Sequence, residues 1–221
     1  MDDALRRSAA HVLVRDLSAP DLDDWAWHHL SRVLRLRPGE VVTVTDGRGG
    51  WRSCTFGGRQ ALDVIGDVAV VPRPRELTVV VAPPKGERLE WLVQKCTEIG
   101  VTRIALVRAE RSVARWDGER AAKQLERLER IAGEAAMQAR RVWLPELTGP
   151  APAHDVLPRA AVAEPGGRPV GPGDTCIAVG PEGGWAPGEL DLACDRVSLG
   201  PNVLRVETAA VVAATLMVAA S

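Results

Sequence analysis

The sequence is short of aromatic side chains: among its 221 residues there is no Tyr and one Phe, beside seven Trp. The hydrophobic core must therefore be built mainly from Val, Leu, Ala and Ile. Hydrophobic residues still make up 46% of the chain and charged residues 26%, a balance typical of folded globular proteins. This composition excludes a chain that is disordered throughout.

Long apolar runs are also lacking. The longest lies at 209–220, and it is shorter than the roughly 20 residues that a membrane-spanning helix requires. We interpret it as a buried helix. The N-terminal segment has no apolar stretch after its basic residues, which argues against a signal peptide. We therefore expect a cytoplasmic protein that has no membrane partner.

The four cysteines lack the spacing of metal ligands. Cys54, Cys96, Cys176 and Cys194 form no CxxC pair, and no His lies at zinc-like spacing from any of them. We expect reduced, buried thiols, as in most cytosolic proteins, and no metal site.

Neither sign of charge dominates, since the net charge is −1. Residues 1–76 are balanced, residues 77–150 carry a net charge of +3, and residues 151–221 carry −4. There is no basic tail. Any surface that binds RNA must therefore be a local patch.

The first third of the chain has the pattern of a small β-domain. Alternating segments at 41–46 and 51–56 flank a glycine-rich turn, which predicts a hairpin, and 61–71 is a third candidate strand. Before them, 21–34 resembles a helix with an acidic first turn. A β-barrel of roughly 70 residues fits this pattern.

A proline-rich linker at 72–76 separates this region from one with a different period. Beyond it, buried strands alternate with helices, which predicts an α/β domain with a mainly parallel sheet. The predicted strands are 77–82, 102–109, 176–180 and 197–200, and the predicted helices are 87–99, about Asp117 to Arg141, and from about Glu207 onward. Residues 145–174 are rich in Pro and Gly, with one short apolar piece at 160–163. We predict two domains, 1–72 and 77–221.

Two predicted strands end in unusual loops. The strand at 176–180 leads into Gly180–Trp185, and the strand at 197–200 leads into Leu199–Thr208. Each loop has an ordinary interpretation, a tight turn for the first and a helix cap for the second. Ligands gather at the carboxyl ends of strands in such sheets, so the two loops together predict one pocket. Neither GxGxxG nor GxxxxGK[ST] occurs.

Several basic residues are candidates for catalysis or RNA contact, although each could instead be a solvated surface residue. Lys85 follows a predicted strand and precedes a helix. His29, Arg32 and Arg35 interleave with apolar residues after the first predicted helix, a pattern compatible with phosphate contact. A second basic set comprises Arg111, Arg115, Arg140 and Arg141.

Six segments, in this order, resemble the RsmE-type 16S rRNA (uracil-N3) methyltransferases of the SPOUT class. They are HHLSRVLRLRPGE, PKGERLEWLVQKCTEIGV, ERSV, EAAMQARR, VGPEGGW and LGPNVLRVETAA. The first four are less specific than the last two, whose separation is characteristic. Together they cover nearly the whole chain.

The resemblance implies a PUA-like RNA-binding barrel followed by an α/β SPOUT domain with a trefoil knot, in an obligate homodimer. It implies S-adenosylmethionine as cofactor, no metal, and 16S rRNA or the 30S subunit as substrate. The cofactor-binding residues it implies are Val179, Gly180, Glu182, Gly183, Leu199, Gly200, Val203, Leu204, Glu207 and Thr208. The RNA-binding candidates are His29, Arg32, Arg35, Arg111 and Arg140.

Uracil N3 must lose a proton, and the resulting anion would gain from a nearby cation. Arg205 is the first candidate for this role and Lys85 the second, while Glu182 or Glu207 would orient the base or accept the proton. The chain departs from the family at Asn202, where a basic residue is usual. Two other readings remain at this point: a non-catalytic RNA-binding protein with the same fold, and a Rossmann-type small-molecule enzyme.

Overall fold

The computed structural model describes residues 2–112, 116 and 118–221. The chain forms two compact units: the first comprises the residues up to Arg73 together with Ala136–Leu144, and the second comprises Pro74–Ala135 and Pro145–Ser221. The division near Arg73 falls in the proline-rich linker, whereas no sequence signal indicated that 136–144 joins the first unit. Within the described residues, no helix combines the length and apolar character needed to span a bilayer.

The first unit contains a five-stranded sheet in the order β1-β2-β3-β4, with β5 also paired to β3. Its elements are α1 (Asp3–Arg7), β1 (Ala10–Leu13), α2 (Asp24–His28) with a π-helical turn (His29–Val33), β2 (Val41–Thr45), β3 (Gly50–Phe56), β4 (Leu62–Val64) and β5 (Ala69–Val70). The predicted hairpin is confirmed by antiparallel pairing of β2 with β3. The helix predicted at 21–34 starts later, where the carboxylate of Asp23 accepts a hydrogen bond from the Ala26 amide at 2.7 Å.

The second unit is built on a six-stranded sheet in the order β11-β9-β10-β6-β7-β8. Its elements are β6 (Thr78–Val81), α3 (Arg88–Ile99), β7 (Arg103–Arg108), α4 (Gly118–Gln138, which ends within the first unit), β8 (Glu146–Pro152), α5 (Ala153–Val156), a 3-10 turn (Leu157–Arg159), β9 (Ala161–Pro169), β10 (Cys176–Val179), α6 (Pro187–Leu190), β11 (Asp195–Ser198) and α7 (Val206–Ala219). All its strand pairs are parallel. The predicted α/β class with a mainly parallel sheet is therefore confirmed.

Helices α3 and α7 pack in the same hydrophobic core as the sheet. The buried residues of α3 recur at helical spacing, and Gly100 ends the helix in a left-handed conformation (φ 118°). The apolar run at 209–220 forms most of α7, whose Ala210, Ala213 and Met217 are buried in the same core. The sheet and these helices together hold the loops at the strand ends in place.

Residues 145–174 contain more regular structure than their Pro and Gly content suggested. Strand β8 is at an edge of the sheet, where a strand tolerates proline. Strand β9 pairs with β11 through a register shift between Arg196 and Val197. Gly167 permits this close approach, because a Cβ there would lie 2.6 Å from the Val197 carbonyl carbon. The N-cap predicted at Asp117 lies outside the described residues.

Candidate active site

The two loops identified in the sequence border one cavity of about 440 Å³ in the second unit. Its wall also includes Ala163 to Pro165 of β9, the strand between β10 and β11 in the sheet. Seven of the residues predicted to bind a cofactor contribute to the wall: Val179, Gly180, Glu182, Leu199, Gly200, Val203 and Leu204. Asn202 and Arg205 line it as well. The cavity thus lies where a parallel sheet of this kind places its ligands.

The backbone of Gly180 packs closely against the indole ring of Trp185. A Cβ at position 180 would lie 2.9 Å from Nε1 of that indole and 3.0 Å from Cε2, so a side chain there would displace the ring. Trp185 is 3% exposed, and its indole N–H has no hydrogen-bond partner among the described residues. Glycine at this position therefore allows the indole ring to pack against the backbone.

Polar contacts from outside the loop hold Gly180–Trp185 in place. The carboxylate of Glu189 accepts hydrogen bonds from the amides of Ala186 (2.9 Å) and Glu110 (2.8 Å). The guanidinium of Arg111 donates to the carbonyl oxygens of Gly183 (3.2 Å) and Trp185 (3.4 Å). Arg111, a predicted RNA contact, therefore braces the loop.

Arg205 stands between two cavities. It is the residue immediately before α7, has an extended backbone conformation and is exposed. It lines the 440 Å³ cavity and also a neighbouring one of about 590 Å³, to which Trp91, Glu207 and Thr208 contribute. Glu207 and Thr208 lie outside the first cavity's wall, as does Gly183. A cation in this position can act on a ligand in either space.

Sequence reasoning missed Arg88, the first residue of α3. Its guanidinium lies 3.5 Å from the carboxylate of Glu182 and 4.0 Å from that of Glu207, and so connects the two loops. The other oxygen of Glu207, Oε2, is buried and has no hydrogen-bond partner in the part of the chain that the structure describes. Only the position of Arg88 in the motif shared with Lys85 could have drawn attention to it, because its partners lie far away in sequence.

Lys85 does not share a cavity with Arg205. It lines a third cavity of about 640 Å³, between the start of α3 and the first half of α4, together with Trp116 and Arg120. The two cations proposed for the same catalytic role are thus in different places. Among the described residues, Lys85 has neither an ion-pair nor a hydrogen-bond partner.

In the first unit, three of the candidate RNA contacts lie in or just after the turn that follows α2: His29 is half-buried, and Arg32 and Arg35 are exposed. The ring of His29 stacks on that of Trp25, with centroids 5.2 Å apart and planes inclined by 2°. Arg32 and Arg35 are exposed nearby in sequence, and neither has a partner in the described part of the chain. Arg35 adopts a positive φ of 54°. An aromatic pair beside unpaired cations is suited to bases and phosphates.

Arg140 and Arg141 are less available for phosphate than their sequence suggests. The guanidinium of Arg140 donates to the hydroxyl of Ser8 and, at 2.7 Å, to its carbonyl oxygen. Burial lowers the pKa of Arg141 to about 10. Its carbonyl oxygen accepts from Nε2 of His11 at 3.2 Å. Arg140 is therefore engaged within the first unit and Arg141 is largely buried there, while Arg115 lies outside the described residues.

The four cysteine thiols were expected to be buried, and they differ in exposure. Cys54 and Cys96 are buried, and burial raises the pKa of Cys96 to about 12. Cys176 is half-buried, but Cys194 is exposed, so the expectation of four buried thiols is wrong for it. Across the described residues, no three His, Cys, Asp or Glu side chains are grouped to bind a metal.

Comparison with known proteins places this chain in a family. Residues 71–218 match the sequence model described as RNA methyltransferase domain, and residues 22–65 match that of the RNA methyltransferase PUA domain. The chain is 35% identical over 211 residues to ribosomal RNA small subunit methyltransferase E of Mycobacterium bovis, covering 84% of this chain and 80% of that protein. It is 34% identical to the Synechocystis protein of the same name, covering 84% and 68%.

Similarity extends to the fold. The crystal structure of a ribosomal RNA small subunit methyltransferase E from Neisseria gonorrhoeae, bound to S-adenosyl methionine, aligns with a TM-score of 0.80 at 28% identity, covering 94% of this chain and 96% of that one. The predicted PUA-like N-terminal region and the α/β fold agree with these relatives. The chain belongs to the RNA methyltransferase family that includes the ribosomal RNA small subunit methyltransferases E.

Proposed function

We propose that this protein transfers a methyl group from S-adenosylmethionine to N3 of the uridine at position 1498 in 16S rRNA of the small ribosomal subunit. The observation that carries the proposal is the cavity in which the Gly180 loop and the Arg205 loop meet. Family membership supports the reaction, and the relatives named above act on the same class of RNA.

The cavity suits S-adenosylmethionine in size and chemistry. Its volume of about 440 Å³ lies within the range of small-molecule sites. Val179, Leu199 and Leu204 offer apolar surface for an adenine ring. The carboxylates of Glu164 and Glu182 offer acceptors for an ammonium group or ribose hydroxyls. When bound, the cofactor supplies a methyl group on a positively charged sulfur.

Arg205 is the residue that we assign to the target base. The N3 proton of uracil must leave as the new N–CH₃ bond forms, and a guanidinium beside the ring stabilises the anion on its carbonyl oxygens. Arg205 borders the cofactor cavity and the adjacent space, so one side chain reaches both. Glu207 lines the adjacent space two residues from Arg205, and we assign it as the acceptor for the proton.

The wider assignments follow the same resemblance. Residues 1–72 would bind 16S rRNA or the assembled 30S subunit through the surface around His29, Arg32 and Arg35. Residues 77–221 would carry out the transfer. The knot, the homodimer and a cytoplasmic location complete the proposal. The stack of half-buried His29 on exposed Trp25 supports RNA binding by the first unit.

The test is methyl transfer by the purified full-length protein to 30S subunits, and separately to free 16S rRNA, from cells that lack this gene. Mass mapping of the RNA should show one new methyl group on a single uridine. Arg205→Ala should lower turnover by at least tenfold and leave S-adenosylmethionine affinity within about threefold. Arg196→Ala, an exposed arginine of β11 outside the cavities, is the matched control.

The outcomes separate the possibilities. Cofactor binding without methylation of either RNA would exclude the proposed reaction. RNA binding with no cofactor binding would indicate a non-catalytic RNA-binding protein. Turnover of Arg205→Ala equal to that of Arg196→Ala would remove Arg205 from the mechanism.

A further inference from the structure

The cavity that contains Lys85 has no part in the cofactor site. Its volume is about 640 Å³, and it lies between the loop before α3 and the first half of α4. It shares no residue with the 440 Å³ cavity. A cavity of this size, lined by cations and an aromatic ring, is suited to bind a ligand separate from the cofactor.

The charges on its wall are incompletely neutralised. Arg127 is paired with Glu90 at 2.8 Å. Lys85 and Arg120 have no ion-pair or hydrogen-bond partner within the described residues, and Glu87 is the one remaining carboxylate of the wall as the structure describes it. The described wall therefore has two unpaired cations and one unpaired carboxylate, and this excess of positive charge favours an anionic ligand.

Trp116 gives the same wall an aromatic surface. It is partly buried against the main core cluster of the second unit, which includes Leu128, and it also lines the cavity. Tryptophan rings are platforms on which nucleic-acid bases stack, and such stacking tolerates any base. A tryptophan beside two free cations thus matches the two parts of a nucleotide, the base and its phosphate.

The three cavities follow one another along the second unit. Glu87 lines both the 640 Å³ and the 590 Å³ cavities, and Arg205 lines both the 590 Å³ and the 440 Å³ cavities. A single RNA strand whose target base reaches Arg205 would therefore have its neighbouring nucleotides directed toward Lys85 and Trp116.

We propose that the 640 Å³ cavity binds a nucleotide of the RNA substrate other than the target uridine, with its base against Trp116 and its phosphate held by Lys85 and Arg120. This rests on the proposed function, since it takes RNA as the ligand. Lys85 is then an RNA-binding residue, not an alternative to Arg205 in catalysis.

The test uses the full-length protein and a fluorescently labelled single-stranded fragment of 16S rRNA that contains the target uridine. Lys85→Gln and Arg120→Gln should each weaken RNA binding, and the double variant should reduce the slope of log affinity against log salt by about 0.7, the value for one phosphate contact to a single strand. Trp116→Ala should weaken binding by at least about fivefold, and Trp116→Phe should retain most of it. Arg130→Gln should change neither quantity: Arg130 is on the same helix, and its one ion pair among the described residues is with Glu134.

Two further measurements distinguish this role from others. S-adenosylmethionine affinity should be unchanged in all variants, and KM for RNA should rise with little change in kcat. RNA affinity equal to that of Arg130→Gln in Lys85→Gln, Arg120→Gln and Trp116→Ala alike, with an unchanged salt slope in the Lys85→Gln/Arg120→Gln double variant, would overturn the proposal. A fall in kcat of Lys85→Gln with unchanged RNA affinity would overturn it too, by returning Lys85 to catalysis.

Failure of this proposal and failure of the proposed function give different results. Methyl transfer by the unmodified protein, with variants that bind RNA normally, would reject only the nucleotide site. RNA binding that depends on these residues, without methyl transfer by the unmodified protein, would reject only the reaction.

Discussion

Replacement of Gly180 by alanine should both destabilise the second unit and impair cofactor binding. The added Cβ would lie 2.9–3.1 Å from three atoms of the Trp185 indole, whereas ordinary contacts are 3.4–4 Å. Because that ring is 3% exposed, it has little room to move away. Residue 180 also lines the cavity that we propose for the cofactor, so any displacement there changes the shape of that cavity.

Overpacking of this kind costs about 1–3 kcal/mol. In a protein of this size, each kcal/mol lowers the melting temperature by about 2–4 °C, which gives an expected fall of about 2–12 °C for Gly180→Ala. The displaced loop should also lower the affinity for S-adenosylmethionine by about tenfold or more, equivalent to about 1.4 kcal/mol.

Thermal unfolding and titration calorimetry with S-adenosylmethionine measure both effects. Gly188→Ala is the matched control: Gly188 lies in α6, and a Cβ there meets no atom within 4 Å. It should leave stability unchanged or raise it, because alanine favours a helix by about 1 kcal/mol over glycine. In a Trp185→Phe background, the cost of Gly180→Ala should shrink, because the smaller ring relieves the overlap. Equal melting temperatures and cofactor affinities for Gly180→Ala and the unmodified protein would refute the reasoning.

Two other predictions concern charged groups. Arg88→Gln should lower S-adenosylmethionine affinity up to about fivefold, because it removes the cation that links Glu182 to Glu207, and half-exposed ion pairs contribute up to about 1 kcal/mol. Calorimetry should show that Arg88→Lys recovers part of the affinity. Unchanged affinity in Arg88→Gln would exclude this role for Arg88. Burial lowers the pKa of His11 from 6.5 to about 4. The first unit should therefore lose up to about 3 kcal/mol of stability as the pH falls between these values, because the unfolded chain binds the proton first. Urea unfolding at several pH values should show this loss of stability toward low pH in the control variant His28→Gln but not in His11→Gln. The same pH dependence of stability in both variants would contradict the prediction.

Elements that depend on local pattern could be predicted from the sequence. Strands β6 and β7 are continuous apolar runs, and α3 has both an apolar face and a glycine at its end. Strands β8 and β9 could not be predicted, because their prolines and glycines are tolerated only by virtue of where the strands lie in the sheet. Edge position and a register shift are properties of pairing, which the linear sequence does not show.

The candidate site divides in the same way. The two loops could be predicted to share a pocket, because both follow strands of one parallel sheet. The role of Arg88 could not, since the ion pairs of this side chain join segments about 94 and 119 residues away in the chain. Lys85 likewise appeared equivalent to Arg205 in sequence, and only the fold shows that the two cations line different cavities.

The order of strands in the second unit has a consequence for how the protein is made. Strand β6 pairs with β10, so the pairing partner of Thr78, Cys176, is synthesised about 100 residues later. At the usual rate of about 5–20 residues per second, this edge stays unpaired for about 5–20 s during synthesis. Val79, Val80 and Val81, all fully buried in the finished sheet, are open to solvent or to other nascent chains in that interval. Folding of this unit is therefore a late event on the ribosome, and a chain cut short before Cys176 should aggregate instead of folding to a smaller domain.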